Sequence, residues 1–146
     1  MTDAQLRTFI YDHVITSGKL PLTAEIGLRF GITPVEARNR LASLKIGKTV
    51  LVHPETGEIW MAGPFASSSC GYELSDGTTT WQANCAWDAF GVAELVGKPL
   101  QARTNCPDCN KEIEFRCDPE RPWNPPGAIV HFLVPARHWY DNIGFT

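Results

Sequence analysis

The chain has 146 residues, 43% of them hydrophobic and 20% charged, with a net charge of -3; this fits one medium domain or two small ones and excludes a disordered chain. No apolar run approaches the roughly 18 residues that cross a bilayer, and the N-terminus lacks a basic stretch followed by an apolar core, so a cytoplasmic protein with no membrane partner is the expectation. Five cysteines, an odd number without an export signal, point away from a disulfide framework and toward thiolate or metal chemistry. A pI near 5.8 does not favour nucleic acid and leaves any DNA contact to a local basic patch.

In chain order, Thr2 and Gln5 make a capping-box pattern ahead of Leu6, Phe9, Ile10 and Val14, whose spacing marks one apolar helix face that Gly18 ends. Thr23 is placed to cap a short second helix through Phe30, and Gly31 breaks the chain. Thr33, Pro34 and Glu36 announce a third helix with Val35, Leu41 and Leu44 inward, since a capping threonine, a proline at the first helical position and a glutamate at the third satisfy the free N–H groups. Residues 49–52 and 58–61 then read as strands about a turn at Pro54–Gly57. The whole resembles a winged helix-turn-helix spanning residues 1–63. Arg38, Arg40, Lys45 and Lys48 lie on or just after its third helix and make a modest basic contribution, which suits either a DNA-reading helix or a solvated face.

Past Gly63-Pro64 the pattern changes to short strands and turns, and residues 64–146 read as a second, mixed or antiparallel sheet domain with flanking helices, making the chain α+β. Tyr72–Leu74 and Thr78–Trp81 flank a turn, a helix runs from about Asn84 to Val96 and stops at Gly97, and Leu100–Arg103, Glu112–Arg116 and Ala128–Val134 supply further strands. The last is apolar enough to be central. Residues 119–126, with four prolines, read as a loop packed over the sheet.

Three thiol arrangements carry candidate chemistry. Cys106-Pro107-Asp108-Cys109 is half of a tetrahedral zinc site, with Cys117 and His131 or His138 as conceivable further ligands; structural packing and redox chemistry are the alternatives, although a redox motif would open a helix. Cys70 lies in a run of serines with nothing nearby to lower its pKa. Cys85 falls at the start of the predicted helix, where free N–H groups and the helix dipole stabilise a thiolate, and Asp88 follows on the same face. A carboxylate so close opposes ionisation of the thiol, so it suits a proton carrier better than an activator. Spacing alone leaves open a buried cysteine beside a capping aspartate.

The run from Trp81 to Gly91, with Gly97 and the strand and loop ending in Cys106, resembles the core of organomercurial (alkylmercury) lyases, as do the segment Val130–Thr146 and the order of the two regions. The resemblance implies protonolysis of a carbon–mercury bond: Cys85 captures the organomercurial, a second cysteine joins it on mercury, and Asp88 carries a proton to the departing carbon. Hydrocarbon and Hg(II) result, with no cofactor required, and cellular thiols or a mercuric reductase take the metal. Soft thiolates suit a soft metal, and two of them weaken its remaining bond to carbon. Cys106 matches a family cysteine regarded as structural. The family's second catalytic cysteine follows the segment that here reads Gly144-Phe145-Thr146, which implies either an interrupted lyase or a short relative with impaired or binding-only activity. The competing readings are a metal- or mercury-responsive winged-helix DNA-binding regulator and a zinc-stabilised interaction module on Cys106 and Cys109.

Overall fold

The computed structural model describes the chain except residues 45–49, 68–70, 107, 122–128, 133, 140 and 142–146. It is α+β, with four α-helices and exclusively antiparallel strand pairings among the described residues, and its contacts divide it into two compact units, Met1–Ser68 and Ser69–Thr146. No helix of the described residues is long and apolar enough to cross a membrane.

The first unit runs α1 (Asp3–Ser17), α2 (Thr23–Phe30), α3 (Pro34–Ser43), β1 (Val50–Val52), β2 (Ile59–Ala62) and β3 (Phe65–Ala66). The reciprocal cap of Thr2 and Gln5 starts α1, and Gly18, left-handed at φ 78, ends it. Leu6, Ile10 and Val14 are fully buried, each worth roughly 1.5–3 kcal/mol by removal of its side chain from water. Tyr11 ties the helix to the strands, donating its hydroxyl hydrogen to the Gly63 carbonyl at 2.7 Å and packing its ring on Phe65.

Two sequence expectations are corrected in this unit. Thr23 is the first helical residue rather than the cap, because its N–H and hydroxyl both donate to the Glu58 carboxylate, at 2.7 and 2.6 Å, while Glu25 turns back to accept the Leu22 N–H. Val35 is 62% exposed. The inward face of α3 is Ala37, Leu41 and Leu44, a four-then-three spacing from which Val35 is rotated away. Thr33 and Glu36 form the cap there. At the corner before it an added Cβ on Gly27 would lie 2.7 Å from the Ile32 carbonyl, so α2 and α3 meet closely where a side chain would not fit.

The second unit holds β4 (Tyr72–Ser75), β5 (Thr80–Ala83), α4 (Ala86–Val96), β6 (Leu100–Asn105), β7 (Glu112–Cys117) and a 3₁₀ turn, Ala136–His138. Its strands lie in the order β5-β4-β6-β7. The pleat sorts the side chains. Trp81, Leu74, Ala102 and Phe115 are partners across all four strands and are buried, whereas the alternate positions Gln82, Glu73, Arg103 and Glu114 form a polar face where Arg103 and Glu114 pair at 2.8 Å. Helix α4 packs against β4, β5 and β7 with Ala89, Val92 and Ala93 buried.

The strand expected over 128–134 is absent from the described residues 129–132. Ile129 is 89% exposed and no ladder partner runs beside it. The segment instead makes local contacts: Trp139 donates its indole N–H to the Val134 carbonyl at 3.0 Å and stacks on Phe132. Apolar composition alone does not supply the facing backbone that a strand needs. The proline-rich loop lies largely outside the described residues, with Pro119 and Glu120 forming a turn closed by a bridge between Asp118 and Arg121.

Candidate active site

Helix α4 begins two residues later than its sequence pattern predicts, with extended Cys85 as its cap rather than a member of its first turn. A cap side chain must accept hydrogen bonds from the free N–H groups of the first turn, and the Cys85 sulfur does so, accepting from the Asp88 N–H at 3.5 Å. The same sulfur is also a donor. Its S–H points to Asp88 Oδ2 at 3.3 Å, closing a ring in which thiol, carboxylate and backbone N–H hold one another.

The electrostatics correct the expectation of a primed thiolate. Burial raises the Cys85 thiol, and the Asp88 charge adds to that against the N–H groups of Asp88 and Trp87, so that its pKa is pushed up to about 12. The helix terminus is present, but removal of the sulfur from water outweighs it. Burial also raises the Asp88 carboxyl, opposed by the hydrogen bonds from Cys85. The thiol therefore keeps its proton on sulfur, directed at a carboxyl group made more basic by its burial.

Tyr72 of β4 and Thr104 of β6 complete the site, and the sequence reading missed both. Tyr72 is half-buried, its hydroxyl raised by burial and next by the Cys85 charge, and lowered by a hydrogen bond with Thr104. Its ring contacts Phe115, which also meets Phe90 of α4. Gly71, just before β4, has φ 105, a conformation that favours glycine, and faces Thr104. The signal that could have found Tyr72 is its register: it pairs with Ala83, two residues before Cys85 on the same side of the pleat.

The other described thiols do not gather into one cluster, although Cys106 and Cys109 are neighbours. Cys70 lies outside the described residues. Cys106 closes β6 and Cys109 follows on an exposed turn; the Cys109 N–H, then the Asp108 N–H and the Cys109 thiol, hold the Cys106 thiol below its ordinary value. Cys117 is not their third ligand. It pairs with Leu100 at the far end of the hairpin, five residue steps or about 17 Å along the strand from Glu112, and is fully buried. Its thiol is pushed up to about 12 by that burial. His131 is exposed, and His138 is engaged with Asp141 at 2.9 Å and with Arg137 at 3.0 Å. Among the described residues no three His, Cys, Asp or Glu side chains gather as a metal site. Of the basic residues expected on or just after the third helix, Arg38 pairs with Glu58 at 3.5 Å and Arg40 is exposed, while Lys45 and Lys48 lie outside the described residues.

A thiol with an adjoining carboxylate can take a soft electrophile on sulfur while the displaced proton moves to oxygen. Comparison with known families matches residues 65–145, more than half of the chain and inclusive of every residue of this site, to the model described as alkylmercury lyase. Comparison with curated proteins finds no match.

Proposed function

The chain belongs to the alkylmercury lyase family, and on that premise we propose that it cleaves the carbon–mercury bond of organomercurials with Cys85 as the capturing sulfur and Asp88 as the proton carrier. The observation that carries the reading is the 3.3 Å hydrogen bond from the Cys85 thiol to the Asp88 carboxylate. In the first step sulfur displaces the anionic ligand of the organomercurial. A sulfur–mercury bond forms, the ligand leaves with its electron pair, and the thiol proton passes to Asp88. In the second step the Asp88 carboxylic acid delivers that proton to carbon, the carbon–mercury bond supplies the electron pair of the new C–H bond, and hydrocarbon leaves. Mercury stays as Hg(II) on Cys85, charge-balanced by the regenerated carboxylate until a thiol removes it. No oxidation or reduction occurs.

The high pKa of the free thiol is compatible with this sequence. A neutral thiol needs a base at the moment of capture, and a carboxylate raised by burial is a better base then and a competent acid afterwards. A thiolate held permanently beside Asp88 would leave no proton to deliver. A second thiolate on mercury weakens the bond to carbon, and cellular thiols are the proposed source of that ligand as well as the acceptors of Hg(II), alongside a mercuric reductase. The order of three helices and a hairpin in residues 1–63 supports a winged-helix reading of that region, and the pairing of Arg38 with Glu58 turns one of its cations toward the protein.

The test is incubation with phenylmercury and excess small thiol, with benzene measured in the headspace. Wild type releases benzene and Cys85→Ser does not. Equal release by the two sinks the assignment, and mercury retained without benzene restricts the protein to capture.

A further inference from the structure

The turn that closes β6 and opens β7 is built around two sulfurs. The Cys106 N–H donates to the Lys111 carbonyl at 2.8 Å and the Asn110 N–H donates to the Cys106 carbonyl at 2.8 Å, closing the chain into a tight knuckle. Asn110 takes the left-handed conformation at φ 55, and its side chain accepts from the Asn105 amide at 3.3 Å. Asparagine tolerates that backbone where most residues resist it. Within the knuckle the backbone N–H groups of Cys109 and Asp108 and the Cys109 thiol all point at the Cys106 sulfur. Converging N–H groups form a nest for negative charge, and here they surround a soft donor with a second soft donor in contact.

We propose that Cys106 and Cys109 form a second mercury site, a two-sulfur clasp that holds Hg(II) through both thiolates and is distinct from Cys85 and Asp88. Tetrahedral zinc takes four ligands, whereas among the described residues these two sulfurs gather no third His, Cys, Asp or Glu. Mercury(II) is satisfied by two soft ligands in line, so the pair is a complete site for it and half a site for zinc. Loading is ligand exchange without redox change. Hg(II) arrives bound to two small thiolates, two new sulfur–mercury bonds form, two old ones break, and the Cys106 and Cys109 protons leave on the departing sulfurs, which become free thiols. Once the first protein sulfur is bound the second exchange is intramolecular, which favours the clasp over two separate small thiols. The proposal rests on the lyase reading for the origin of its Hg(II), but not for the binding itself.

The experiment uses the full chain, reduced, as Cys85→Ser, so that the first site is silent. Mercuric chloride is added in equimolar amount with excess 2-mercaptoethanol, the protein is desalted, and retained mercury is measured with the thiolate–mercury absorbance. Cys85→Ser retains Hg(II), and further replacement by Cys109→Ala or Cys106→Ala abolishes retention. Cys109 is exposed, so its replacement leaves the fold intact, as far-ultraviolet circular dichroism checks. Retention by Cys85→Ser/Cys109→Ala equal to that of Cys85→Ser overturns the proposal, and so does retention of zinc but not mercury. Benzene release by wild type against Cys85→Ser tests the lyase reading separately, and either result can fail without the other.

Discussion

Replacement of Asp88 by asparagine separates a proton carrier from an activator, because it makes the Cys85 thiol easier to ionise and yet slows turnover. At the 3.3 Å between Cys85 sulfur and Asp88 oxygen, two unit charges repel by about 5 kcal/mol at an effective dielectric of 20 and about 1.3 kcal/mol in water. Both residues are partly exposed, so the lower end applies, about 1–2 kcal/mol or roughly one pKa unit. In Asp88→Asn the Cys85 thiol therefore titrates below its value of about 12, but still above the ordinary 9.0, because burial is the larger cause and remains. The assay is the pH dependence of Cys85 alkylation by iodoacetamide, followed on the Cys85 peptide by mass spectrometry. Benzene release from phenylmercury falls in the same variant by on the order of 10²- to 10⁴-fold, the usual value of positioned acid–base catalysis. A midpoint that stays or rises, or release retained within about tenfold of wild type, refutes the assignment of Asp88.

Trp81→Ala removes the largest fully buried side chain among the described residues and costs about 3–5 kcal/mol in urea unfolding; a loss under about 1 kcal/mol contradicts its core position. Tyr72→Phe deprives Thr104 of its side-chain partner and lowers stability by about 1 kcal/mol in the same assay, with far-ultraviolet circular dichroism unchanged. Raised thiols bind their protons more tightly in the folded chain than in the unfolded one, so their contribution to stability is complete below the ordinary 9.0 and is lost as pH climbs toward about 12. Wild-type stability accordingly declines across that window, Cys117→Ala declines less steeply, and identical slopes discard the cause.

The elements most legible in the sequence are those whose signals are local. The Thr2 and Gln5 cap, the Thr33-Pro34-Glu36 start and the left-handed Gly18, Gly31 and Gly97 mark helix ends within a few residues of themselves, because capping is a contact between near neighbours. The closeness of Asp88 to Cys85 was legible for the same reason. Tyr72 and Thr104 are 32 residues apart in the chain, and the register that joins their strands has no local signature. The two residues of β3 are too short to show a period. Residues 129–132 illustrate the reverse failure: the period-free apolar run names a candidate strand without naming a neighbour for it. The protonation of Cys85 was misjudged because the helix terminus is visible in sequence, whereas desolvation is a property of everything folded around it.

The sulfur that captures mercury in the proposed reaction is also the residue that caps α4. Those two duties draw on the same electron pairs, so substrate loading competes with the hydrogen bond that secures the first turn. Occupancy of the site is thereby written into the backbone: the Asp88 amide loses its acceptor when mercury arrives and recovers it when mercury leaves. Amide exchange at that one position becomes a gauge of the catalytic cycle that needs no label and no product.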